Sequence, residues 1–276
     1  MALRASDPGG IIGHEAILEL LPRLGASTLL FSGPEGVGRR LVARWYAWGL
    51  NRGFPPPALG EHPDLLEIGP PERGLKGRVE IRLEEVEPLF EWFATHPRER
   101  VKVAILDAAH LLTEAAANAL LKLLEEPPSY GRIVLIAPSR ATLLPTLASR
   151  ALEVAFAPVP EERLYPLTQD PELLAYAGGA PGRLLRALAD LPQFRSRMER
   201  AKEVAHLSPL GRLARLKELL SEGQQSDPFE EGFFALYAAF RHSPRALLAL
   251  EAAREALERY VSPDLVLARL ALDLET

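Results

Sequence analysis

A glycine-rich loop at residues 33–40 restricts the fold of this chain more than any other feature. Residues 27–31 before it form a short apolar run of the kind that a buried parallel strand shows, and a helical pattern follows it. Gly33 and Gly38 have the spacing of the phosphate-binding P-loop, Gly-x-x-x-x-Gly-Lys-Ser/Thr, and Gly36 lies between them. Strand, glycine loop and helix in this order predict an α/β fold, although a plain turn between a strand and a helix fits the spacing too.

Two residues of the motif are replaced by arginine. Arg39 stands at the lysine position and Arg40 at the hydroxyl position. In the intact motif the lysine reaches the β- and γ-phosphates and the hydroxyl binds Mg²⁺. Arginine has no oxygen for a metal, and a guanidinium facing Mg²⁺ would repel it by roughly 4 kcal/mol per unit charge at about 4 Å. The loop therefore predicts a nucleotide site that has lost its catalytic residues.

A second half-motif lies further along the chain. Residues 101–107 form an apolar run that ends in Asp107, which fits a central strand carrying the Mg²⁺-directing acid of a Walker B motif. In active ATPases of this kind a glutamate follows, whereas here Ala108 and Ala109 follow. A methyl group cannot act as a base, so the pattern predicts a second loss of catalytic chemistry. Asp107 could equally cap the helix that comes next.

The stretch 107–128 closely resembles the corresponding part of the clamp-loader subunits of bacterial DNA polymerase III, which are AAA+ proteins. Residues 11–14, 62–64 and 144–150 resemble further stretches of the same family, and the resemblance covers about the first 185 residues. Motor subunits of the family keep Lys-Ser/Thr and Asp-Glu. The delta-prime branch has lost them but keeps a Ser-Arg pair, and this chain is similar to that branch.

The resemblance implies roles for three further residues. Arg150, in the Ser-Arg pair, matches the arginine finger that reaches the γ-phosphate in a neighbouring subunit, a contact worth about 10³–10⁵ in rate where it has been measured. Ser139 matches the polar sensor-1 residue, and Arg183 the sensor-2 arginine of the lid. Ordinary roles stay open for all three: a surface ion pair for Arg150, a loop serine, and a surface arginine at a helix start.

The chain contains no cysteine, which excludes disulfides and cysteine-ligated zinc. Members of the family usually carry a four-cysteine zinc module before the His-Pro-Asp segment. Here the corresponding residues 51–61 are rich in proline. We therefore expect a segment ordered without metal, in part by the stiffness of its prolines.

Composition also bears on partners and compartment. A net charge of −5 and 7% aromatic residues argue against a chain that binds DNA on its own. No apolar run approaches the ~18 residues that span a bilayer, and no secretory signal opens the sequence, so we expect no membrane and a cytoplasmic location. The 27 arginines against 5 lysines indicate a thermophilic source.

The predicted organisation has three parts. Residues 1–158 form an α/β AAA+ P-loop domain with a mostly parallel, doubly wound sheet, residues 159–204 a small helical lid, and residues 205–276 an all-α collar. Strands are expected at 27–32, 64–68, 101–107, 132–137 and 151–156. Helices are expected at 14–23, 38–50, 83–95, 112–126, 142–148, 207–222, 227–241, 243–260 and 262–274. In the helix after the Walker B strand, Thr113 is the expected cap. Its expected buried residues are Leu112, Ala116, Leu120 and Leu123.

The resemblance implies a catalytically silent clamp-loader subunit. It would form a hetero-pentamer with delta and gamma/tau subunits, lend Arg150 to a neighbouring ATP site, and help to load the sliding clamp onto primer–template DNA. No metal, no zinc and no resident cofactor are expected, and weak binding of ATP or ADP without hydrolysis stays open. One alternative is an active motor-type (gamma/tau-like) ATPase that uses Arg39 in place of lysine. Another is a single-strand DNA-binding module.

Overall fold

The computed structural model of the chain describes residues 10–56, 59–70, 80–221, 228–258 and 261–274. These residues separate into two compact units. The first contains the described residues up to Arg163 together with Gly179–Pro181, and the second contains Leu164–Gly178 and the described residues from Gly182 onwards. Most of the predicted lid thus shares a unit with the predicted collar, and the division into three domains stays a prediction.

The first unit is built on a five-stranded sheet with the strand order β2-β3-β4-β1-β5, in which every neighbouring pair is parallel. The strands are β1 Thr28–Ser32, β2 Leu65–Ile68, β3 Lys102–Leu106, β4 Gly131–Ala137 and β5 Leu152–Ala155. The helices are α1 Glu15–Leu20, α2 Arg39–Arg52, α3 Leu83–Ala94, α4 Glu114–Glu125 and α5 Pro145–Ala148. The predicted doubly wound α/β class is confirmed.

The central strands β1, β3 and β4 are buried along almost their whole length and mostly apolar, because helices cover both faces of the sheet. Alternate side chains point to opposite faces and enter two separate cores. One core packs around α3 and α4 and receives Leu30, Ala104, Leu106, Ile133 and Leu135 from the strands. The other packs around α1 and α2 and receives Leu29, Phe31, Val103, Ile105, Val134 and Ile136.

Local signals set the two ends of α4. Thr113 precedes the helix in an extended conformation, and its hydroxyl accepts a hydrogen bond from the Ala116 N–H at 3.3 Å, which confirms the predicted cap. The helix ends at Glu125, just before the residue that precedes Pro127, because a residue followed by proline disfavours the helical conformation.

The buried face of α4 differs from the prediction at two positions. Leu124 is buried where Leu123 was expected, and Leu123 is only half-buried against the same core. Leu112 is buried but lies before the helix begins. The buried residues of the helix are Ala116, Ala117, Leu120 and Leu124. Their spacing of three and four residues is that of one helical face, and the position of the sheet decides which face it is.

Two buried polar side chains, Asn51 at the end of α2 and Asp64 just before β2, order the loop between α3 and β3. The Asp64 carboxylate accepts hydrogen bonds from the backbone N–H groups of Arg98 and Glu99 at 2.8 and 2.7 Å. Asn51 accepts from two further N–H groups of the same loop and donates to the carbonyl of Val101 at 2.9 Å. These bonds satisfy a turn that would otherwise bury unpaired amides.

Aromatic packing holds the described part of the predicted proline-rich segment. The Phe54 ring lies against Trp45, with 4.8 Å between ring centroids. The Trp48 indole N–H donates to the Gly60 carbonyl at 3.2 Å, and the His62 ring meets Trp48 edge-on at 4.9 Å. Apolar contacts and hydrogen bonds therefore hold this segment against α2.

The second unit is helical in its described residues. Its helices are α6 Pro171–Ala177, α7 Pro181–Ala189, α8 Leu191–Glu203, α9 Pro209–Ser221, α10 Pro228–Ala239, α11 Pro244–Glu258 and α12 Pro263–Asp273. The four helices predicted after residue 205 are present, with described ends that lie within two residues of the expected ones. The predicted ends at residues 222, 227 and 260 lie outside the described residues.

Candidate functional site

The loop, the acid and the serine of the predicted nucleotide site meet at the carboxyl edge of the sheet. The glycine loop follows β1, Asp107 follows β3 and Ser139 lies two residues beyond β4. The Gly33 N–H donates to the Pro138 carbonyl at 2.9 Å and so joins the loop to the chain after β4. The carboxyl ends of the strands are where parallel α/β sheets bind ligands.

The loop has the backbone geometry of a phosphate cradle. Gly33, Gly36 and Gly38 have φ values of 143°, 79° and 110°, which side-chain-bearing residues rarely adopt. A Cβ atom on Gly33 would also overlap the carbonyl oxygen of Phe156, so this position admits only glycine. Gly38 directly precedes the first turn of α2 and serves as its N-cap residue. The shape of the P-loop is therefore retained.

The Arg39 guanidinium is directed to the end of β4. Its Nη1 donates a hydrogen bond to the backbone carbonyl of Ala137. Its charge also acts on His110: burial first, and then the Arg39 charge, lower the pKa of His110 from 6.5 to about 4. The motor-type alternative requires Arg39 to extend over a phosphate as the lysine of the motif does. The guanidinium is instead bonded to the backbone at the end of β4, so Arg39 does not reproduce that lysine.

Arg40 occupies the place of the metal-binding hydroxyl and forms two ion pairs. Its Nε lies 2.7 Å from one Glu67 carboxylate oxygen, and its Nη1 lies 3.6 Å from Asp107 Oδ2. Arg44, one turn further along α2, reaches the other Glu67 oxygen at 2.6 Å. The two acids at this end of β2 and β3 are thus paired with guanidinium groups of the chain itself. Sequence reasoning missed Glu67 and Arg44, which no motif marks.

These residues do not fit a Mg²⁺–nucleotide complex. A metal at this place needs a hydroxyl oxygen and a free carboxylate, and it finds Arg40 beside Asp107 instead. Asp107 Oδ1 also accepts the N–H of Ala108 at 3.0 Å. This bond reaches only the adjacent residue, so Asp107 does not have the alternative role of a helix cap: the residue before the single 3₁₀ turn Ala109–Leu111 is Ala108, which has a φ of 53° and makes no side-chain cap bond.

Ser139 lies half-buried at the predicted sensor-1 position, and its backbone carbonyl accepts the Thr142 hydroxyl at 2.7 Å. Its sensor role stays a prediction. Arg183 belongs to the second unit and is buried, so the ordinary alternative of a surface arginine is wrong. Its Nη1 donates to the Ala177 carbonyl at 2.8 Å at the end of α6, and its guanidinium stacks on the Phe234 ring. The sensor-2 role of Arg183 also stays a prediction.

Arg150 lies in the turn between α5 and β5, with its side chain 30% exposed. Its Nε donates to Glu125 Oε1 at 2.7 Å, and its Nη2 contacts the same oxygen. On the other edge of the guanidinium, Nη1 donates to the Thr146 carbonyl at 2.9 Å and to the Ser149 hydroxyl at 3.3 Å. Glu125 was not expected from the sequence, because 25 residues separate it from Arg150.

The lowered pKa of His110 predicts a pH-dependent stability of the first unit. In the unfolded chain His110 binds a proton near pH 6.5, and in the folded chain only near pH 4. The contribution of neutral His110 to the free energy of unfolding is therefore fully present above pH 6.5 and is lost as the pH falls towards 4. After allowance for partial exposure, we expect a loss of about 2 kcal/mol in the free energy of unfolding from this residue. Urea unfolding at pH 8 and pH 4.5 measures it.

All three tryptophans lie in the first unit, so their fluorescence reports its unfolding. The variant His110→Gln should lose part of the acid sensitivity. His206→Gln, at an exposed histidine of the second unit, is the control and should keep it. Equal pH dependence in the wild type and His110→Gln would show that this histidine does not carry the effect.

A five-stranded parallel sheet in this order, with a P-loop-like turn after β1 and an acid after β3, defines an AAA+ fold. The sequence profile of the family described as "DNA polymerase III, delta subunit" matches residues 23–160. The chain belongs to this family of clamp-loader subunits of DNA polymerase III and is of the delta-prime type.

Individual relatives agree with the family. The chain is 32% identical over 223 residues to the Escherichia coli DNA polymerase III subunit delta', a match that covers 76% of this chain and 64% of that protein. It is 31% identical over 185 residues to the Haemophilus influenzae subunit tau/gamma, covering 58% of this chain and 26% of the relative. The chain therefore spans less than two thirds of the length of these relatives.

A solved structure has the same fold. A gamma subunit-related protein of DNA polymerase III from Thermotoga maritima superimposes with a TM-score of 0.51 at 22% identity, covering 94% of this chain and 97% of that one.

Within the described residues, no group of three or more His, Cys, Asp or Glu side chains could hold a metal ion. No helix in that part of the chain is long and apolar enough to cross a bilayer.

Proposed function

We propose that this chain is a catalytically silent clamp-loader subunit whose own nucleotide site does not hydrolyse ATP. The observation that carries the proposal is the ion pairing of Arg40 with Glu67 and Asp107. A guanidinium beside Asp107 both repels Mg²⁺ and neutralises the carboxylate that would direct it. Ala108 offers no base in the position after Asp107. Weak binding of ATP or ADP without a metal is compatible with the retained glycine backbone.

We propose further that Arg150 acts in the ATP site of a neighbouring subunit. Two features support this role: Arg150 is partly exposed, and its guanidinium is oriented by the backbone of α5 through Thr146. An arginine held in this way can present two parallel N–H groups to a phosphate, which a lysine cannot do. A contact that strengthens as negative charge develops in the transition state raises the rate of the neighbour's reaction.

The assembly proposed for this role is a hetero-pentamer with delta and gamma/tau subunits. In it, the gamma/tau subunits hydrolyse ATP, and the complex opens the sliding clamp and places it on primer–template DNA. The membership of this chain in the clamp-loader family supports the proposal. The net charge of −5 supports contact with DNA through the assembled complex rather than by this chain alone.

The silent site predicts no ATP hydrolysis above background by the isolated chain, measured as phosphate release. A turnover on the order of 1 s⁻¹ that disappears in Asp107→Ala would contradict the proposal and favour the motor-type alternative. The matched control is the double variant Arg39→Lys/Arg40→Thr, which restores the lysine and hydroxyl of the motif. This variant should gain Mg²⁺-dependent ATP binding and still fail to hydrolyse ATP, because Ala108 remains.

A further inference from the structure

The Glu125–Arg150 pair occupies the edge of the guanidinium that a phosphate would use. Nε and Nη2 form the two-pronged edge that arginine offers to carboxylates and phosphates, and both donate to Glu125 Oε1. The opposite nitrogen, Nη1, is held by the Thr146 carbonyl and the Ser149 hydroxyl. In this conformation, a phosphate from another subunit meets an arginine whose favourable edge is already taken.

We propose that Glu125 is a latch: its carboxylate holds the Arg150 guanidinium while the subunit is free. In the assembled complex, the γ-phosphate bound in the neighbouring site displaces this carboxylate. This inference rests on the proposed role of Arg150 in a neighbour's ATP site. Thr146 and Ser149 keep the arginine oriented during the exchange, while the carboxylate on the other edge is replaced by a phosphate of higher charge. Glu125 is then a positioning residue and has no contact with the reacting atoms.

The position of Glu125 in its helix supports this role. It is the last residue of α4, where the partial negative charge of the helix end disfavours an anionic side chain. The Arg150 guanidinium offsets this repulsion, so the pair explains why an acid is tolerated there. The Glu125 side chain is 49% exposed, and water screens such a pair enough to make it weak. A weak pair is one that an incoming phosphate can replace.

The latch predicts the direction of a kinetic change. Since the carboxylate and the phosphate compete for one edge of Arg150, neutralising the carboxylate must favour the phosphate. An exposed ion pair changes an equilibrium by at most roughly fivefold. We expect Glu125→Gln to raise kcat/KM for ATP about twofold in the complex reconstituted with delta and gamma/tau subunits. If Glu125 instead held Arg150 in its active orientation, the same variant would lower kcat/KM.

The experiment measures phosphate release by the reconstituted complex at ATP concentrations well below KM. Glu126→Gln is the matched control, since this neighbouring residue has the same charge and is exposed; it should leave kcat/KM unchanged. Complex formation is checked by size-exclusion chromatography, so that a variant that fails to assemble is recognised. An unchanged or lowered kcat/KM in Glu125→Gln overturns the latch.

A double-variant comparison separates the latch from the finger. In an Arg150→Ala complex, adding Glu125→Gln should have no effect, because there is no guanidinium left to release. An increase that persists in the Arg150→Ala background overturns the latch. If Arg150→Ala by itself leaves hydrolysis unchanged, the finger proposal fails. If Arg150→Ala lowers hydrolysis but Glu125→Gln does not raise it, only the latch fails.

Discussion

Replacing Arg150 with alanine is expected to leave the clamp-loader complex assembled and to lower its clamp-stimulated ATP hydrolysis. A finger acts on charge that develops in the transition state, so turnover should fall more than assembly or ATP binding. At the one site that receives this arginine we expect a loss of about 10³-fold or more. The loss for the whole complex should be partial, because the other sites keep their own arginine donors.

Two substitutions test the chemistry of this contact. Arg150→Lys should rescue poorly, since an ammonium group cannot reproduce the planar two-pronged contact. Arg163→Ala is the control: Arg163 is an exposed arginine of the same unit that pairs with Glu15 at 3.0 Å, and its removal should leave hydrolysis unchanged. A complex with Arg150→Ala that hydrolyses ATP and loads clamps at the unmodified rate would show that Arg150 only forms a surface ion pair.

The substitution Gly49→Ala should lower the free energy of unfolding of the first unit by about 3 kcal/mol. On helix propensity alone the change should stabilise α2 by about 1 kcal/mol, because alanine favours a helix more than glycine does. A Cβ atom on Gly49, however, would overlap the ring of Phe54, which packs against Trp45 and Tyr46. The ring has to leave this position, and the aromatic contacts are lost with it.

The effect of Gly49→Ala on the free energy of unfolding should disappear or change sign when Phe54 is removed. In a Phe54→Ala background the overlap no longer exists, so adding Gly49→Ala should be neutral or stabilising. Urea unfolding followed by tryptophan fluorescence measures all four proteins of this cycle. A Gly49→Ala variant as stable as the wild type would show that Phe54 moves aside at little cost and that this packing does not hold the segment.

The strands and helices of the first unit were predictable because their signals are local. Buried parallel strands need apolar runs, and the predicted runs agree with β1 to β5 within one or two residues at each end. Caps and prolines set the ends of α4 for the same reason. The buried side of that helix was harder to predict. Whether Leu124 or Leu123 is buried depends on where the sheet lies, and the helical pattern by itself is compatible with either.

The sequence could not predict which charged side chains form ion pairs with each other. The sequence indicated Arg40 and Asp107 as remnants of a motif but gave no reason to join either with Glu67, which the pairing of β2 with β3 brings to the same edge. The burial of Arg183 was also unexpected, because a charged residue at a helix start is usually exposed. The Ala177 carbonyl and the Phe234 ring provide the compensating contacts.

By itself, the sequence determined the parallel α/β class, the glycine loop without its lysine and hydroxyl, and the missing base after Asp107, because each of these depends on residue type at a local spacing. The tertiary structure alone decided which acid each arginine meets. Arg40 pairs with Glu67 across 27 residues and Arg150 with Glu125 across 25, and the folding of the chain brings these side chains together. Ion pairs act over a few ångströms in space, and position along the sequence does not encode that distance.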